Sequence, residues 1–123
     1  FASWRDDLLR AYVEAGTRLL PDGRAELLCP GPIEAQVYEA GGQLDPWPGL
    51  SHIRCPVLAI RAGRSETFSP AGAARLAELV RDCRIVTIPA AGHFVPMERP
   101  DEVAELVIPF LEDQKGAQGS SGA

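Results

Sequence analysis

An α/β fold built on a parallel strand–helix–strand unit is what this sequence predicts, and three observations carry the prediction. Pro56–Ala62, PVLAIRA, holds the continuous apolar run Val57-Leu58-Ala59-Ile60, the pattern of a strand covered on both faces of a parallel sheet. Ile85-Val86-Thr87-Ile88 is a second short β-branched run of strand length. Between them Ser69 and Pro70 stand as N-cap and first helical residue of a helix over Pro70–Val80, with Leu76, Leu79 and Val80 facing inward. The crossover in such a unit is right-handed, so the loops after both strands lie on one edge of the sheet. Open α/β sheets bind ligands at that carboxyl edge.

The other elements follow in chain order. Ser3-Trp4-Arg5-Asp6 has the form of a capping box, and Trp4, Leu8, Ala11, Tyr12 and Ala15 recur at helical spacing up to a stop at Gly16. Pro21-Asp22-Gly23 predicts a turn, and Ala25–Cys29 a short extended stretch broken by Pro30-Gly31-Pro32. Ile33–Ala40 reads as a helix closed by Gly41-Gly42. Asp45-Pro46-Trp47-Pro48-Gly49 is expected to be loop, with Trp47 packing it onto the body. His52, with no acid or cysteine at a suggestive spacing, is expected to face solvent. The last helix is expected over Pro100–Leu111, with Val103, Leu106, Val107 and Phe110 on one face. Pro109 should bend or fray it, and residues 113–123 should form a disordered Gly/Ser-rich tail.

Composition bounds the function. A chain of 123 residues with 46% hydrophobic content suits one packed domain. A net charge of −5, with no Lys/Arg cluster, argues against nucleic-acid binding. No apolar run approaches the ~20 residues of a membrane span, and Phe1-Ala2-Ser3-Trp4 runs into a charged segment unlike a signal peptide. Because the first residue is not Met, the chain is expected to be cut from something longer. Cys29, Cys55 and Cys83 are widely spaced and odd in number, which suggests reduced thiols in a cytoplasmic protein. No metal-ligand spacing or Gly-rich phosphate loop implies a metal or cofactor.

The chemistry concentrates in Ile85–Pro100, IVTIPAAGHFVPMERP. The strand breaks at Pro89 and turns through Ala90-Ala91-Gly92, and His93 follows on the loop. An imidazole there can accept and return a proton within one cycle, because its ordinary pKa lies near neutrality. The order strand, small-residue turn, Gly-His, aromatic, Pro, helix resembles the C-terminal histidine segment of the α/β-hydrolase fold, the esterase, lipase and epoxide-hydrolase superfamily.

The resemblance implies a fold and a set of roles. Residues 44–112 are similar to the C-terminal βαβα portion of the hydrolase core, and residues 1–43 to the mostly helical end of the lid region. In such enzymes the acid often lies three residues after a glycine on the loop past the penultimate strand. Gly63-Arg64-Ser65-Glu66, followed by Pro70, matches that arrangement with Glu in place of the more usual Asp. Asp45 precedes the strand and is a poor rival. By the resemblance His93 is the general base and Glu66 the acid that orients it, fixes its tautomer and offsets the imidazolium charge. Phe94, Val95 and Phe68 would bind a small, hydrophobic ester-type substrate.

The nucleophile is the missing part. No G-x-S-x-G occurs, and none of the six serines stands at an elbow. A serine outside the chain would give acyl transfer to water, whereas an aspartate would give epoxide or haloalkane hydrolysis with His93 activating water. The chain is expected to be a C-terminal part of a hydrolase, inactive without its N-terminal half. The alternative is a non-catalytic α/β module that binds a partner through an open sheet edge.

Overall fold

The computed structural model describes residues 4–119. The chain divides into two units, residues up to Pro46 and residues from Trp47. Among the described residues no helix is long and apolar enough to cross a membrane.

The first unit is helix, hairpin, helix. Helix α1 spans Asp6–Gly16, with Arg5 at its N-cap and no side-chain capping bond. The expected cap Ser3 lies outside the described residues. Asp6 and Asp7 stand in the first turn, where carboxylates oppose the positive end of the helix dipole. The Trp4 ring meets Tyr12 edge-on at 5.2 Å. Strands β1, Thr17–Leu19, and β2, Ala25–Leu27, then pair antiparallel, with Arg18 opposite Glu26 and their side chains 2.6 Å apart. The expected Pro21-Asp22-Gly23 turn closes this hairpin, with Gly23 at φ 83°. Helix α2, Gly31–Gly41, begins two residues earlier than the periodicity indicated, because Pro32 fits the first helical turn. No residue of either helix is buried, and Leu19, Val37, Tyr38 and Leu44 stand well exposed.

The second unit is the strand–helix–strand core that the sequence predicts. A single helical turn, α3 at Trp47–Leu50, replaces the expected loop, since Pro48 suits a first turn. Trp47 packs there, its ring 4.4 Å beneath the Arg75 guanidinium. His52 is exposed, as expected. Strand β3, Val57–Ala62, pairs parallel with β4, Cys83–Ile88, from Val57↔Cys83 to Ala62↔Ile88. Between them runs helix α4, Pro70–Leu79, whose N-cap Ser69 accepts the Gly72 N–H at 3.1 Å. The expectation of strands covered on both faces is corrected: most of β3 and β4 is only half-buried, because two strands leave much of each face open. Arg61 uses that openness to donate across the pair to Thr87 Oγ1 at 3.2 Å.

After β4 come a single turn, α5 at Val95–Glu98, and helix α6 at Pro100–Gly119. Pro109 lies inside the helix without ending it; both Pro109 and Glu105, whose carbonyl loses its partner, are exposed, so water can fill the vacant bond. The helix also covers most of the stretch expected to be a disordered tail, because extending a formed helix costs far less than starting one.

The core lies at the carboxyl ends of the strands. Ala62, Ile88, Ala91 and Val95 form the buried cluster, with Ile60, Val103 and Leu106 packed against it. Two backbone bonds secure the loops above: Gly63 N–H to Ile88 C=O at 2.9 Å continues the sheet ladder, and Arg64 N–H to Ala91 C=O at 3.0 Å joins one loop to the other. The approach is so close that a Cβ on Gly63 would fall 2.6 Å from Pro89 Cα and nearer still to its carbonyl oxygen.

Gly63→Ala should therefore destabilise the chain by about 1–3 kcal/mol, read as a lower urea midpoint. The cysteines should also differ in reactivity. Cys29 and Cys55 are exposed, whereas burial and the adjacent Asp82 carboxylate push the Cys83 thiol up. A raised pKa leaves less thiolate at a given pH, so mass spectrometry after timed alkylation at mildly alkaline pH should find Cys83 modified last.

Candidate active site

The carboxyl edge of the β3–β4 pair carries the residues that the sequence singled out. Residues 63–69 form the loop from β3 to α4, and residues 89–94 the loop from β4 to α5. His93 sits exposed on the second loop and turns its Nδ1 toward the first. That nitrogen is 3.3 Å from Ser65 Oγ and 3.3 Å from Thr67 Oγ1. Ser65 Oγ also accepts the Thr67 backbone N–H at 3.3 Å, which folds the loop around the ring. With Nδ1 against the loop, the geometry of imidazole turns Nε2 away from it.

Glu66 lies between the two hydroxyl residues and is exposed. Nδ1 meets the hydroxyls on either side of it, and no hydrogen bond or ion pair joins Glu66 to another described residue. The sequence thus pointed to the correct loop for contact with His93, and the structure adds Ser65 and Thr67, which motif reasoning passed over. Both are hydroxyl residues flanking a candidate acid, and that is the signal that could have found them.

The three expected substrate contacts part ways. Phe94 is 43% exposed and stands edge-on to the His93 ring at 5.0 Å. Phe68 is half-buried over the start of α4, where its ring would lie 3.7 Å from a Cβ placed on Gly72. Val95, expected against the substrate, is 7% exposed and packs with Ala62, Ile88 and Ala91 beneath the loop.

A further residue holds the histidine loop in place. Glu98, on α5, accepts the Gly92 N–H with Oε2 at 2.7 Å. A Cβ on Gly92 would meet that carboxylate at 2.6 Å, so a larger residue before His93 would have to displace the Glu98 side chain that holds the loop. No sequence pattern signals this bond, which depends on how a four-residue helix folds back on the loop. Among the described residues no three His, Cys, Asp or Glu side chains converge as a metal site requires.

Glu98→Ala removes the acceptor from a half-buried amide. The expected result is a loss of about 1–2 kcal/mol and faster hydrogen exchange at Gly92, read by amide-resolved NMR, with the strand amides of β3 and β4 less affected.

Comparison with known proteins places this architecture. The sequence profile of the alpha/beta hydrolase family matches residues 1–106. Human monoacylglycerol lipase ABHD6 is 32% identical over 62 residues, half of this chain and 18% of the lipase. E-2-(acetamidomethylene)succinate hydrolase superposes with a TM-score of 0.77 at 26% identity, covering 91% of this chain and 41% of that enzyme. The peroxisomal alpha-beta-hydrolase Lpx1 of Saccharomyces cerevisiae gives the same TM-score at 17% identity, over 92% of this chain and 31% of its own, a likeness of fold alone. The chain thus spans less than half the length of each of these relatives. With its profile match, its parallel strand–helix–strand unit and its histidine loop at the carboxyl edge, the chain belongs to the alpha/beta hydrolase family.

Proposed function

We propose that this chain is the C-terminal, histidine-bearing portion of a hydrolase acting on a small hydrophobic ester, with the nucleophile supplied from outside residues 1–123. His93 acts as general base and Glu66 is its acidic partner. One observation carries the reading: the imidazole Nδ1 is held by the loop that bears Glu66, which leaves Nε2 turned away to take a proton. The partly exposed Phe94 beside the ring fits an apolar substrate, and the lipase named among the relatives fits an ester.

The first unit, on this reading, is the end of a lid. No residue of its helices is buried, and Val13, Leu19, Leu27, Val37 and Tyr38 stand exposed, as expected of a lid that closes over the rest of a longer enzyme. Each strand of the β3–β4 pair also keeps one unpaired edge, where further strands would join. The same open edges suit the second reading, a non-catalytic module that captures a partner by strand addition.

Hydrolysis of a short-chain chromogenic ester, by this chain alone and with the upstream half of the enzyme supplied, separates the two. Activity should appear only in the combined sample. His93→Ala should lower kcat by about 10²–10⁴-fold, the usual share of general base catalysis, and Glu66→Ala should lower it by a smaller factor. Ester activity indifferent to His93 would overturn the catalytic assignment, and binding to the upstream half without turnover of esters, epoxides or haloalkanes would favour the module.

A further inference from the structure

We propose that Ser65 and Thr67 are positioning residues for His93, a hydroxyl pair that holds its neutral imidazole with the proton on Nδ1 and so leaves Nε2 bare to act as the base. The inference rests on the reading of His93 as a general base and deepens it. Orientation of the ring then belongs to the two hydroxyls, and Glu66 contributes its charge.

The argument is one of hydrogen-bond counting. Nδ1 has two oxygens at the same distance, 3.3 Å to Ser65 Oγ and 3.3 Å to Thr67 Oγ1. A bare Nδ1 offers one in-plane lone pair, which accepts one hydroxyl proton well and leaves the second hydroxyl without a partner on the ring. A protonated Nδ1 can share its hydrogen between both oxygens in a three-centre bond, so both contacts are used. Ser65 Oγ already accepts the Thr67 N–H, which fixes where the oxygen sits and leaves a second lone pair for the ring. The tautomer of a histidine follows the bond made by its other nitrogen, so the pair favours the form with Nε2 unprotonated.

The surroundings keep the ring on this pair. Phe94 stands edge-on at 5.0 Å beside it. Glu98 anchors the amide just before His93, and the Arg64–Ala91 backbone bond ties the two loops together. Glu66 makes none of these contacts.

The test is a long-range ¹H–¹⁵N NMR spectrum of the whole chain at alkaline pH, where both imidazoles are neutral. The chain has two histidines, so each pattern is separable, and exposed His52 serves as the internal reference. His93 should show the Nδ1–H pattern and His52 the Nε2–H pattern ordinary for a solvated imidazole. Ser65→Ala combined with Thr67→Val should move His93 to the His52 pattern, whereas Glu66→Gln should leave it unchanged. Ser65→Thr, which keeps a hydroxyl, should retain the native pattern. If the double variant fails to fold, Thr67→Val alone, at an exposed position and nearly isosteric, should shift part of the population.

An Nε2–H pattern in the native chain, an unchanged pattern in the hydroxyl variants, or a shift produced by Glu66→Gln alone would overturn the inference. The readout needs no substrate. A tautomer result as expected beside ester activity indifferent to His93 would fell the hydrolase reading alone, and the converse would fell this inference alone.

Discussion

Everything at the carboxyl edge depends on how closely two loops can approach. The bond from Gly63 to Ile88 carries the strand ladder one step past β3, and the bond from Arg64 to Ala91 ties the two loops beyond it. They form only because position 63 lacks a Cβ, since any side chain would be driven into the Pro89 backbone. With the loops joined, Ala91 is fully buried against Ala62 and Ile88, and the apolar cluster becomes the floor of the site. His93 and the residues that touch it are thus positioned by backbone contacts.

The division of labour around the imidazole has a physical logic. A carboxylate is acceptor-only and negatively charged, so it favours a protonated neighbour wherever it sits within a few ångströms. Hydroxyls are short, uncharged and able to give or take a proton, so they act through geometry. On the proposed reading, the two hydroxyls at Nδ1 direct the ring and the carboxylate between them on the same loop stabilises its charge, so the two tasks fall to different groups. Glu98 is a different use of the same functional group: its carboxylate is spent on a backbone amide and fixes the loop.

The sequence made the core of the second unit legible because local and global preferences agree there. Val57–Ile60 and Ile85–Ile88 are apolar runs that became paired strands, and Ser69-Pro70 opened the helix where a cap and a first-turn proline should stand. Where exposure removes the pattern, legibility ends. Thr17-Arg18-Leu19 has no alternation to mark it as a strand because the hairpin stands largely in solvent, and it is held by its ladder and an ion pair. Pro109 signals a bend or a frayed end, yet α6 continues past it and past Gly116 to Gly119, with Pro109 and Glu105 exposed to water. In the site, the strand–turn–Gly-His order located His93 and the glycine spacing located its loop. The burial of Val95 was not legible, because an apolar residue beside a catalytic candidate looks alike in the sequence whether it lines a pocket or fills a floor. The hydroxyl pair and the Glu98 bond are tertiary facts, set by where loops distant in the chain cross.

The register of the parallel pair also sets the order in which this molecule can assemble its chemistry. Ser65 and Thr67 reach His93 across 28 and 26 positions of chain, and nothing local brings them together. They meet only after α4 has formed and β4 has docked on β3 in the register that ends at Ala62↔Ile88. A one-residue slip would reverse which side chains face the floor and carry His93 off its loop. Closing a parallel crossover is the slow, non-local step of such a fold. The site therefore exists only where the sheet has paired in this register, and its contacts report correct pairing.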